Sequence, residues 1–398
     1  MSDAPVLIEE YFRKKLGREV LYLPSARLAL YLAFTEWFEP GDRLLMSSVT
    51  DDVVFFAVLA AGLVPLLAPV DPDTGNMDLA GVDEEAWGQV RGVMTSNLYG
   101  MPERMDVLEA ACRKRGLVLL EDASHAIDST YGGRPLGTFG TAAAFSFSKH
   151  LRSSGGVLAF EEASRRPSLE RRAAGEMRPP PLRRALAVRA RSVARSVLDL
   201  THTRALGRRV GEKLGRPERR GNYRMPYEAR DVLRAREEGA GLDRFERWVR
   251  VDNADYRTPP RAASVRTTLR LLEGFEANRQ ARLRGARSLL ALGFTPRAYA
   301  SLEQTAFLRI PLLVGARERV RSEFGRRGLG FQYIYDPPLD VYAAPPLVER
   351  LPQTRGAALW SQDVLPVNPL EADRFLSLLA GQPPLEHAFV SAEVPAHA

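Results

Sequence analysis

The N-terminal part of the chain alternates between short apolar segments and longer segments whose apolar residues recur at helical spacing. The short segments predict strands at residues 43–47, 64–67, 92–95, 118–120 and 142–147. The longer ones predict helices at residues 28–38, 53–61 and 105–114. This alternation is typical of a mostly parallel sheet covered by helices on both faces. The sequence therefore predicts an α/β fold, in which ligands bind where the strands end.

The pattern changes after residue 160. Arginine-rich sequence at helical spacing runs from residue 164 to 220 and is broken by prolines at 179–181. A long amphipathic helix is predicted at 261–292, followed by strands at 305–313 and 329–335 and helices at 317–327 and 371–379. We therefore predict a large domain over residues 1–260, with a basic helical insertion at about 161–220, and a smaller C-terminal α+β domain over residues 261–398.

Composition excludes several classes of protein. Of the 398 residues, 45% are apolar and 26% are charged, which is ordinary for a globular protein. The sequence shows neither a secretory signal at its start nor an apolar run of ~18 residues, so we predict a cytoplasmic location. The single cysteine, Cys112, excludes an intrachain disulfide, and the five histidines lack metal-ligand spacing. No metal site is predicted.

Positive charge is concentrated in the predicted insertion. Residues 161–220 contain 17 Lys or Arg against 7 Asp or Glu, whereas the whole chain carries a net charge of +7, so the remainder is slightly acidic. Nucleic-acid binding is the weakest interpretation, because no recognised motif accompanies the charge. Three hypotheses remain for this segment, especially for residues 182–210: a solvated helical hairpin, a lid over substrate phosphates, or a helix making peripheral membrane contact.

One lysine stands out as a candidate nucleophile. Only five of the 56 basic residues are lysines, and Lys149 lies between the apolar run 142–147 and the Gly155-Gly156 pair. A lysine at the mouth of an apolar sheet can lose its proton and form an imine, which arginine cannot do. A solvated loop lysine is the competing interpretation.

Two further features have both a functional and an ordinary explanation. Asp122 follows the apolar run 118–120, where its carboxylate would keep a pyridine nitrogen protonated or would merely cap a turn. The segment Ser25-Ala26-Arg27 begins a predicted helix, whose N-terminus would bind phosphate or would simply be capped by Ser25.

Taken in order, these features resemble the DegT/DnrJ/StrS family of sugar aminotransferases, within the fold-type I pyridoxal-phosphate enzymes. The resemblance covers about residues 21–380, outside the basic insertion. The matching segments are EPGD at 39–42, DPDTGN at 71–76, LYGMP at 98–102, EDASHA at 121–126, YGGRPLGTFG at 131–140, FSF at 145–147, DPP at 336–338 and LPQT at 351–354. It implies a mostly parallel seven-stranded sheet in the large domain and pyridoxal 5'-phosphate as the cofactor.

The resemblance also implies roles for individual residues. Lys149 would hold the cofactor as a Schiff base and serve as general acid and base, and Asp122 would pair with the pyridinium nitrogen. His125 would lie against the cofactor near its phenolic oxygen, and Ser146 would bind its phosphate.

The same resemblance implies further residues that bind the phosphate, including one that reaches the phosphate of the dimer partner. Ser25, Ala26 and Arg27 would contact the phosphate together with Ser146. The enzyme would be a homodimer with a shared active site, in which Asn222 of the GNYRM segment at 221–225 crosses to the partner's phosphate. Asp255 is the alternative by spacing, although its charge would repel a phosphate.

The implied reaction transfers an amino group, from a donor such as glutamate, to a nucleotide-linked keto-sugar. Three departures keep alternatives open: Asp51 replaces an aromatic residue expected to stack on the cofactor, Ala26-Arg27 replaces Gly-Thr, and the stretch from Ser146 to Lys149 is about two residues short. One alternative is a sugar dehydratase of the same family, in which histidine replaces the lysine. Lys149 argues against it, whereas the neighbouring His150 and the short stretch before Lys149 keep it open. The other is a catalytically silent binding or regulatory protein.

Overall fold

The apolar segments between residues 19 and 160 form the centre of a large mixed sheet. The computed structural model describes residues 4–179, 224–250, 256–301, 305–380 and 384–388. The strands of the large sheet are β1 (Glu19–Leu23), β2 (Arg43–Ser47), β3 (Val64–Ala68), β4 (Gly92–Thr95), β5 (Val118–Asp122), β8 (Ala142–Ser146), β9 (Gly156–Phe160) and β11 (Glu349–Arg350). Their order across the sheet is β1-β9-β8-β5-β4-β2-β3-β11.

The sheet is mostly parallel, as predicted. The neighbours β11, β3, β2, β4, β5 and β8 all run parallel, and only β9 lies antiparallel to both β8 and β1. The α/β fold class is therefore confirmed. The sheet has eight strands rather than seven, because Glu349 and Arg350 of the C-terminal part pair with Leu66 and Leu67 at its edge.

Helices cover both faces of this sheet. Those of the described residues are α1 (Ala4–Leu16), α2 (Ala26–Trp37), α3 (Asp52–Ala60), α4 (Glu84–Gln89), α5 (Met105–Arg115), α6 (Phe147–His150), α7 (Arg166–Glu176), α8 (Ala229–Glu237), α9 (Leu242–Val249), α10 (Ala262–Glu273), α11 (Phe275–Leu290), α12 (Arg317–Arg326), α13 (Leu339–Tyr342), α14 (Arg355–Gln362) and α15 (Ala372–Leu379). Helix α3 is buried along its whole length, which explains why its sequence is apolar on every side.

Two short sheets complete the described structure. Strands β6 (Thr130–Tyr131) and β7 (Arg134–Pro135) form a small hairpin, and β10 (Ile310–Leu313) pairs antiparallel with β12 (Val364–Val367). The second pair packs with α11, α12, α14 and α15 in one hydrophobic core. Of the described helices, none combines the length and the apolar composition that crossing a membrane requires.

Several predicted elements differ in the structure. The long helix expected at 261–292 is two helices, α10 and α11, which meet at Gly274. The strand expected at 329–335 is irregular backbone, and Tyr333 within it has a left-handed φ of 69°. Helix α1 and strands β1 and β9 were not predicted. Charged residues interrupt the apolar pattern of α1, and β9 begins within the Gly155-Gly156 pair, which predicts a turn rather than a strand.

The first part of the basic segment is integral to the body of the protein. Arg166 in α7 forms ion pairs with Glu9 at 2.8 Å and with Glu19 at 3.2 Å. Leu169 and Ala173 of the same helix are buried in the main hydrophobic core. Residues 180–223 lie outside the described structure, and so do the three hypotheses for residues 182–210. The domain boundary at residue 260 stays a prediction.

Candidate active site

The chemically important side chains meet where two adjacent strands end. Asp122 is the last residue of β5 and Ser146 the last of β8, and Lys149 follows in the short helix α6. Strands β5 and β8 are parallel, with Asp122 opposite Ala144, so both carboxyl ends lie at the same edge of the sheet. The Lys149 ammonium is near enough to lower the pKa of Asp122 electrostatically. The structure therefore brings the predicted nucleophile and the predicted acid together.

Asp122 is a buried carboxyl group. Its Oδ1 accepts a hydrogen bond from the Ser124 backbone N–H at 3.0 Å. Burial is the largest influence on this group and raises its pKa, which the hydrogen bonds from Ser124 and the charge of Lys149 oppose. A buried carboxylate is stabilised by a cation beside it, and a protonated ring nitrogen is such a cation.

His125 is held as a neutral imidazole. Burial, together with the nearby Lys149 charge, lowers its pKa well below the ordinary value. Its Nδ1 accepts a hydrogen bond from the Tyr99 backbone N–H at 3.2 Å, so the ring proton resides on Nε2. The ring of Tyr333 lies 5.4 Å from the imidazole, between ring centres. His125 therefore offers a single N–H donor at the mouth of the sheet.

Lys149 lies between a carboxylate and an aromatic ring. Its Nζ is 3.7 Å from Asp51 Oδ2 and 4.2 Å from the centre of the Tyr333 ring. Asp51 also caps helix α3, because its Oδ1 accepts a hydrogen bond from the Val53 N–H at 3.1 Å. The residue that replaces the expected aromatic is thus a counter-ion of Lys149. Sequence reasoning flagged the position but did not predict this contact.

The predicted phosphate-binding residues follow or end β1 and β8, the two strands that flank β9. Gly156 of β9 is paired with Leu23 on one side and with Ser146 on the other, so the start of α2 lies beside the end of β8. A Cβ atom added to Gly156 would lie 2.5 Å from the Phe145 oxygen and 2.7 Å from the Ala26 nitrogen. Only glycine permits this close approach. The N-terminus of α2 and Ser146 therefore lie next to each other at this edge of the sheet.

The side chains at the start of α2 have contacts elsewhere. Ser25 Oγ accepts a hydrogen bond from the Leu28 N–H at 3.2 Å and donates one to the Tyr256 carbonyl at 2.9 Å. The Arg27 guanidinium donates to the Val249 carbonyl at 2.8 Å and lies over the Tyr256 ring. An anion at such a site is bound by the backbone N–H groups of the first helical turn rather than by these side chains. On the strand side, Ser146 Oγ is 2.9 Å from Ser148 Oγ.

A buried glutamate that the sequence did not reveal belongs to a hydrogen-bond network that reaches the Asp122 backbone. Glu103 accepts a hydrogen bond from the Met77 N–H at 3.1 Å, and its own N–H donates to Asn97 Oδ1 at 3.1 Å. Asn97 in turn donates through Nδ2 to the Asp122 carbonyl at 3.2 Å. Burial raises the pKa of Glu103 to about 8. Its only sequence signal was its position directly after the LYGMP motif.

The proposed dimer-crossing residues, Asn222 and Asp255, lie outside the described residues. Next to the first of them, Arg224 donates to the Thr50 carbonyl at 2.8 Å, and the Met225 N–H donates to Asp52 Oδ2 at 2.7 Å. This segment therefore ends beside the N-terminus of helix α3, close in sequence to Asp51. Among the described residues no cluster of His, Cys, Asp or Glu side chains is suited to hold a metal ion.

A family model of the "DegT/DnrJ/EryC1/StrS aminotransferase family" matches residues 7–163, the segment that contains Asp51, Asp122, His125 and Lys149. Over these residues the match agrees with the resemblance stated from the motifs.

The chain resembles individual relatives in sequence and solved structures in fold. The chain is 33% identical over 120 residues to GDP-perosamine synthase of Caulobacter vibrioides, which is 30% of this chain and 32% of that protein. The chain spans less than half the length of the curated relatives it matches. Its structure is similar to that of PseC, an aminotransferase of Helicobacter pylori, with a TM-score of 0.65, 15% identity and coverage of 95% and 92% of the two chains. The E. coli GDP-4-keto-6-deoxy-D-mannose-3-dehydratase with bound hydrated PLP gives a TM-score of 0.65, 16% identity and coverage of 95% and 91%.

Proposed function

We propose that this chain is a pyridoxal-phosphate-dependent aminotransferase that moves an amino group from glutamate to a nucleotide-linked keto-sugar. The observation that carries the proposal is the position of the Lys149 amine. It lies beside Asp51 and Tyr333, at the same edge of the sheet as the buried Asp122. The relative named GDP-perosamine synthase and the neighbour named an aminotransferase support the reaction class. The dehydratase neighbour with bound PLP supports the cofactor.

The residues present fit the cofactor. Asp122 is a buried carboxyl group that a protonated ring nitrogen would stabilise, and Lys149 is the amine that would hold the cofactor covalently. The Nε2–H of His125 would donate to the phenolic oxygen. The start of α2 at Ser25-Ala26-Arg27, together with Ser146, would hold the phosphate.

When bound, the cofactor supplies an electron-accepting ring that lets an amino group leave one substrate and join another. The chain's own residues position it and move protons. Lys149 Nζ would take up and return the proton that shifts during transfer, and Asp51 would orient the amine from one side. Asp122 would keep the ring nitrogen protonated. The N-terminus of α2 would hold the phosphate through its backbone N–H groups.

The finer features of the proposal concern assembly and location. We propose a homodimer in the cytoplasm, with Asn222 reaching the partner's phosphate and Asp255 as the alternative. Neither residue belongs to the described structure. Peripheral membrane contact through the basic insertion is a separate hypothesis, which a lipid-flotation assay of the full chain would test.

The dehydratase is the second candidate function, and His150 was its motivation. In the structure His150 is buried, its Nε2 is 2.9 Å from the Ala306 carbonyl, and its ring packs against Phe275. A histidine engaged in this way is turned toward the protein interior, whereas Lys149 lies beside the groups that would surround the cofactor. This contrast favours amino transfer.

The test uses the purified full chain with added pyridoxal 5'-phosphate. We expect visible absorbance from the covalently bound cofactor and loss of that absorbance when glutamate is added. Lys149→Ala should abolish both signals, whereas the exposed Lys114→Ala should change neither. Tight cofactor binding that is independent of Lys149 would favour the dehydratase. Absence of cofactor binding would favour the silent binding protein.

A further inference from the structure

A strained turn follows strand β4 and contacts two residues of the candidate site. Asn97 and Tyr99 both have left-handed backbone, with φ of 41° and 57°, although neither is glycine. Such a conformation is unfavourable for a residue with a side chain, above all for a bulky aromatic, and it persists where the surrounding structure holds it in place. Residues 97–100, here called the β4 turn, are all buried. The contacts that hold this turn therefore lie within the protein.

The side chain of Asn97 extends the pairing of β4 and β5 beyond its last backbone pair. That pair is Thr95 opposite Glu121, so the carbonyl of the next residue, Asp122, lies past the end of the pairing. Asn97 Nδ2 donates to this carbonyl at 3.2 Å and to Thr95 Oγ1 at 2.9 Å. A side-chain amide thus supplies a donor at the point where the strand pairing ends.

The amide of Asn97 has a fixed orientation. Its Oδ1 accepts a hydrogen bond from the Glu103 N–H at 3.1 Å, which directs Nδ2 toward Asp122. Reversal of the amide would place two donors against each other, Nδ2 and the Glu103 N–H. Glu103 is itself 1% exposed, and its carboxyl group accepts the Met77 N–H at 3.1 Å. The buried glutamate therefore holds the asparagine that contacts the Asp122 backbone.

The β4 turn also reaches His125 and Tyr333. The Tyr99 N–H donates to His125 Nδ1 at 3.2 Å, and the Tyr99 hydroxyl donates to the Tyr333 carbonyl at 2.6 Å. The ring of Tyr333 lies 4.2 Å from Lys149 Nζ. The hydroxyl contact can be removed by itself, because it does not involve the Asn97 amide. Two substitutions within one turn therefore separate its contact with the sheet from its contact with the opposite side of the site.

We propose that Asn97 is a positioning residue for Asp122 and that Glu103 braces it. The inference rests on the proposed function, in which Asp122 recognises the ring nitrogen of the cofactor. A carboxylate that keeps a ring nitrogen protonated must lie within hydrogen-bond distance of it, and a small displacement weakens such a contact steeply. Asn97 acts only through the backbone of Asp122 and touches neither cofactor nor substrate.

The first experiment uses the full chain without cofactor. Hydrogen exchange followed by mass spectrometry reports how firmly the backbone of residues 118–127 is held. Asn97→Gly removes the side chain at a position whose positive φ suits glycine, and Asn97→Asp keeps Oδ1 while it removes the donor. We expect exchange over this segment to be about tenfold faster in both variants, the effect of one lost hydrogen bond. Exchange at the parent's rate in both variants would overturn the proposal.

The second experiment observes the ring nitrogen itself. The full chain is loaded with pyridoxal 5'-phosphate that carries the heavy nitrogen isotope in its ring, and the NMR shift of this atom distinguishes a protonated from a neutral ring. We expect the protonated shift in the parent and a displacement toward the neutral shift in both Asn97 variants. Glutamate-driven loss of absorbance should slow about 10- to 100-fold at saturating glutamate, with the KM for glutamate unchanged. The parent's shift and rate in these variants would contradict the positioning role.

Tyr99→Phe is the matched control in the same turn. It removes the hydroxyl contact with the Tyr333 carbonyl and leaves the Asn97 amide in place, so the ring-nitrogen shift should equal the parent's. A displaced shift in Tyr99→Phe would mean that any loosening of the turn has this effect, and it would overturn the specific role of Asn97.

Two substitutions of Glu103 test the brace. Glu103→Gln keeps an oxygen for the Met77 N–H and should retain the parent's ring-nitrogen shift. Glu103→Leu removes that acceptor and should displace the shift in the same direction as the Asn97 variants. The parent's shift in Glu103→Leu would overturn the bracing role.

Failure of this inference is distinguishable from failure of the proposed function. A chain that never acquires cofactor absorbance contradicts the aminotransferase, yet hydrogen exchange in the cofactor-free chain still decides whether Asn97 holds the Asp122 backbone. Conversely, a parent protein that reacts with glutamate, together with Asn97 variants that match it in exchange and in ring-nitrogen shift, would support the aminotransferase and overturn the inference.

Discussion

The candidate site has two sides that are built differently. The sheet side consists of Asp122, His125, Ser146 and the start of α2, and strand register and backbone hydrogen bonds hold these groups in place. The facing side consists of Asp51, Arg309 and Tyr333, which contact Lys149 or each other through charge and ring faces. Tyr333 sits on irregular backbone with positive φ.

This difference suggests a division of labour. A rigid, buried sheet side suits a cofactor whose position must not vary, because preorganised groups need no rearrangement during the reaction. A facing side that includes the exposed Gln332 suits substrates that enter and leave. Substitutions on the sheet side should therefore affect cofactor chemistry or folding strongly, whereas those on the facing side should have smaller effects.

The largest effect is expected for Asp122→Asn. The amide preserves the size of the side chain and can still accept the Ser124 N–H, but it cannot keep a ring nitrogen protonated. We expect the rate of glutamate-driven absorbance loss to fall about 1000-fold, or about 4 kcal/mol at the transition state. The exposed Asp73→Asn is the control. A rate within threefold of the parent would contradict the role of Asp122.

Gly156→Ala tests the contact between α2 and the sheet. The new Cβ would meet backbone atoms of Phe145 and Ala26 at 2.5 and 2.7 Å, and backbone cannot move aside cheaply. We expect the free energy of unfolding to fall by about 2–4 kcal/mol and cofactor affinity to weaken with it. Gly175→Ala, in α7 with open space around it, should be neutral or stabilising by up to about 1 kcal/mol. Urea titration of both variants distinguishes these results.

Glu103 should make stability depend on pH. Its pKa is about 8 in the folded chain, whereas an unfolded glutamate titrates near 4.3. The folded state therefore binds the proton more tightly, and stability decreases as pH rises from about 5 to about 8, by roughly 2–4 kcal/mol. Glu103→Gln should flatten this decrease when unfolding is measured at several pH values. The exposed Glu237→Gln should retain the parent's slope; an unchanged slope in Glu103→Gln would refute the assignment.

The smallest effect is expected on the facing side, at Asp51. Asp51→Asn removes the charge near Lys149 but keeps an oxygen for capping α3, so we expect a stability loss of at most about 1 kcal/mol. Asp51→Ala removes the cap as well and should lose about 1 kcal/mol more. Thermal unfolding of both variants checks the difference. Equal stability of the two would mean that the cap contributes nothing.

The sequence predicts the sheet side well. Strand positions follow from short apolar runs, and the residue after each run lies at a predictable edge of a parallel sheet. The positions of Asp122 and Lys149 at this edge were therefore expected from the sequence, whereas Ser146 was proposed only from the family resemblance. The roles of all three stay predictions. The contact that joins α2 to β9 through Gly156 was not, because it depends on two antiparallel pairings that no local pattern encodes.

The facing side was largely invisible in the sequence. Asp51, Arg309 and Tyr333 are far apart along the chain, and each looks unremarkable in its own segment. The segment containing Tyr333 was predicted to be a strand, because alternating apolar residues do not reveal a left-handed residue. For Asp51 the sequence indicated only that it occupies the position of an expected aromatic residue. Its pairing with Lys149 arises from tertiary contacts.

The most direct test of the central claim is chemical. The full chain is loaded with pyridoxal 5'-phosphate, reduced with borohydride, digested and analysed by mass spectrometry. The account predicts that the reduced cofactor is attached to the peptide containing Lys149, and to no peptide containing Lys14, Lys15, Lys114 or Lys213. Attachment at another lysine, or an unlabelled Lys149 peptide in a cofactor-saturated protein, would contradict it.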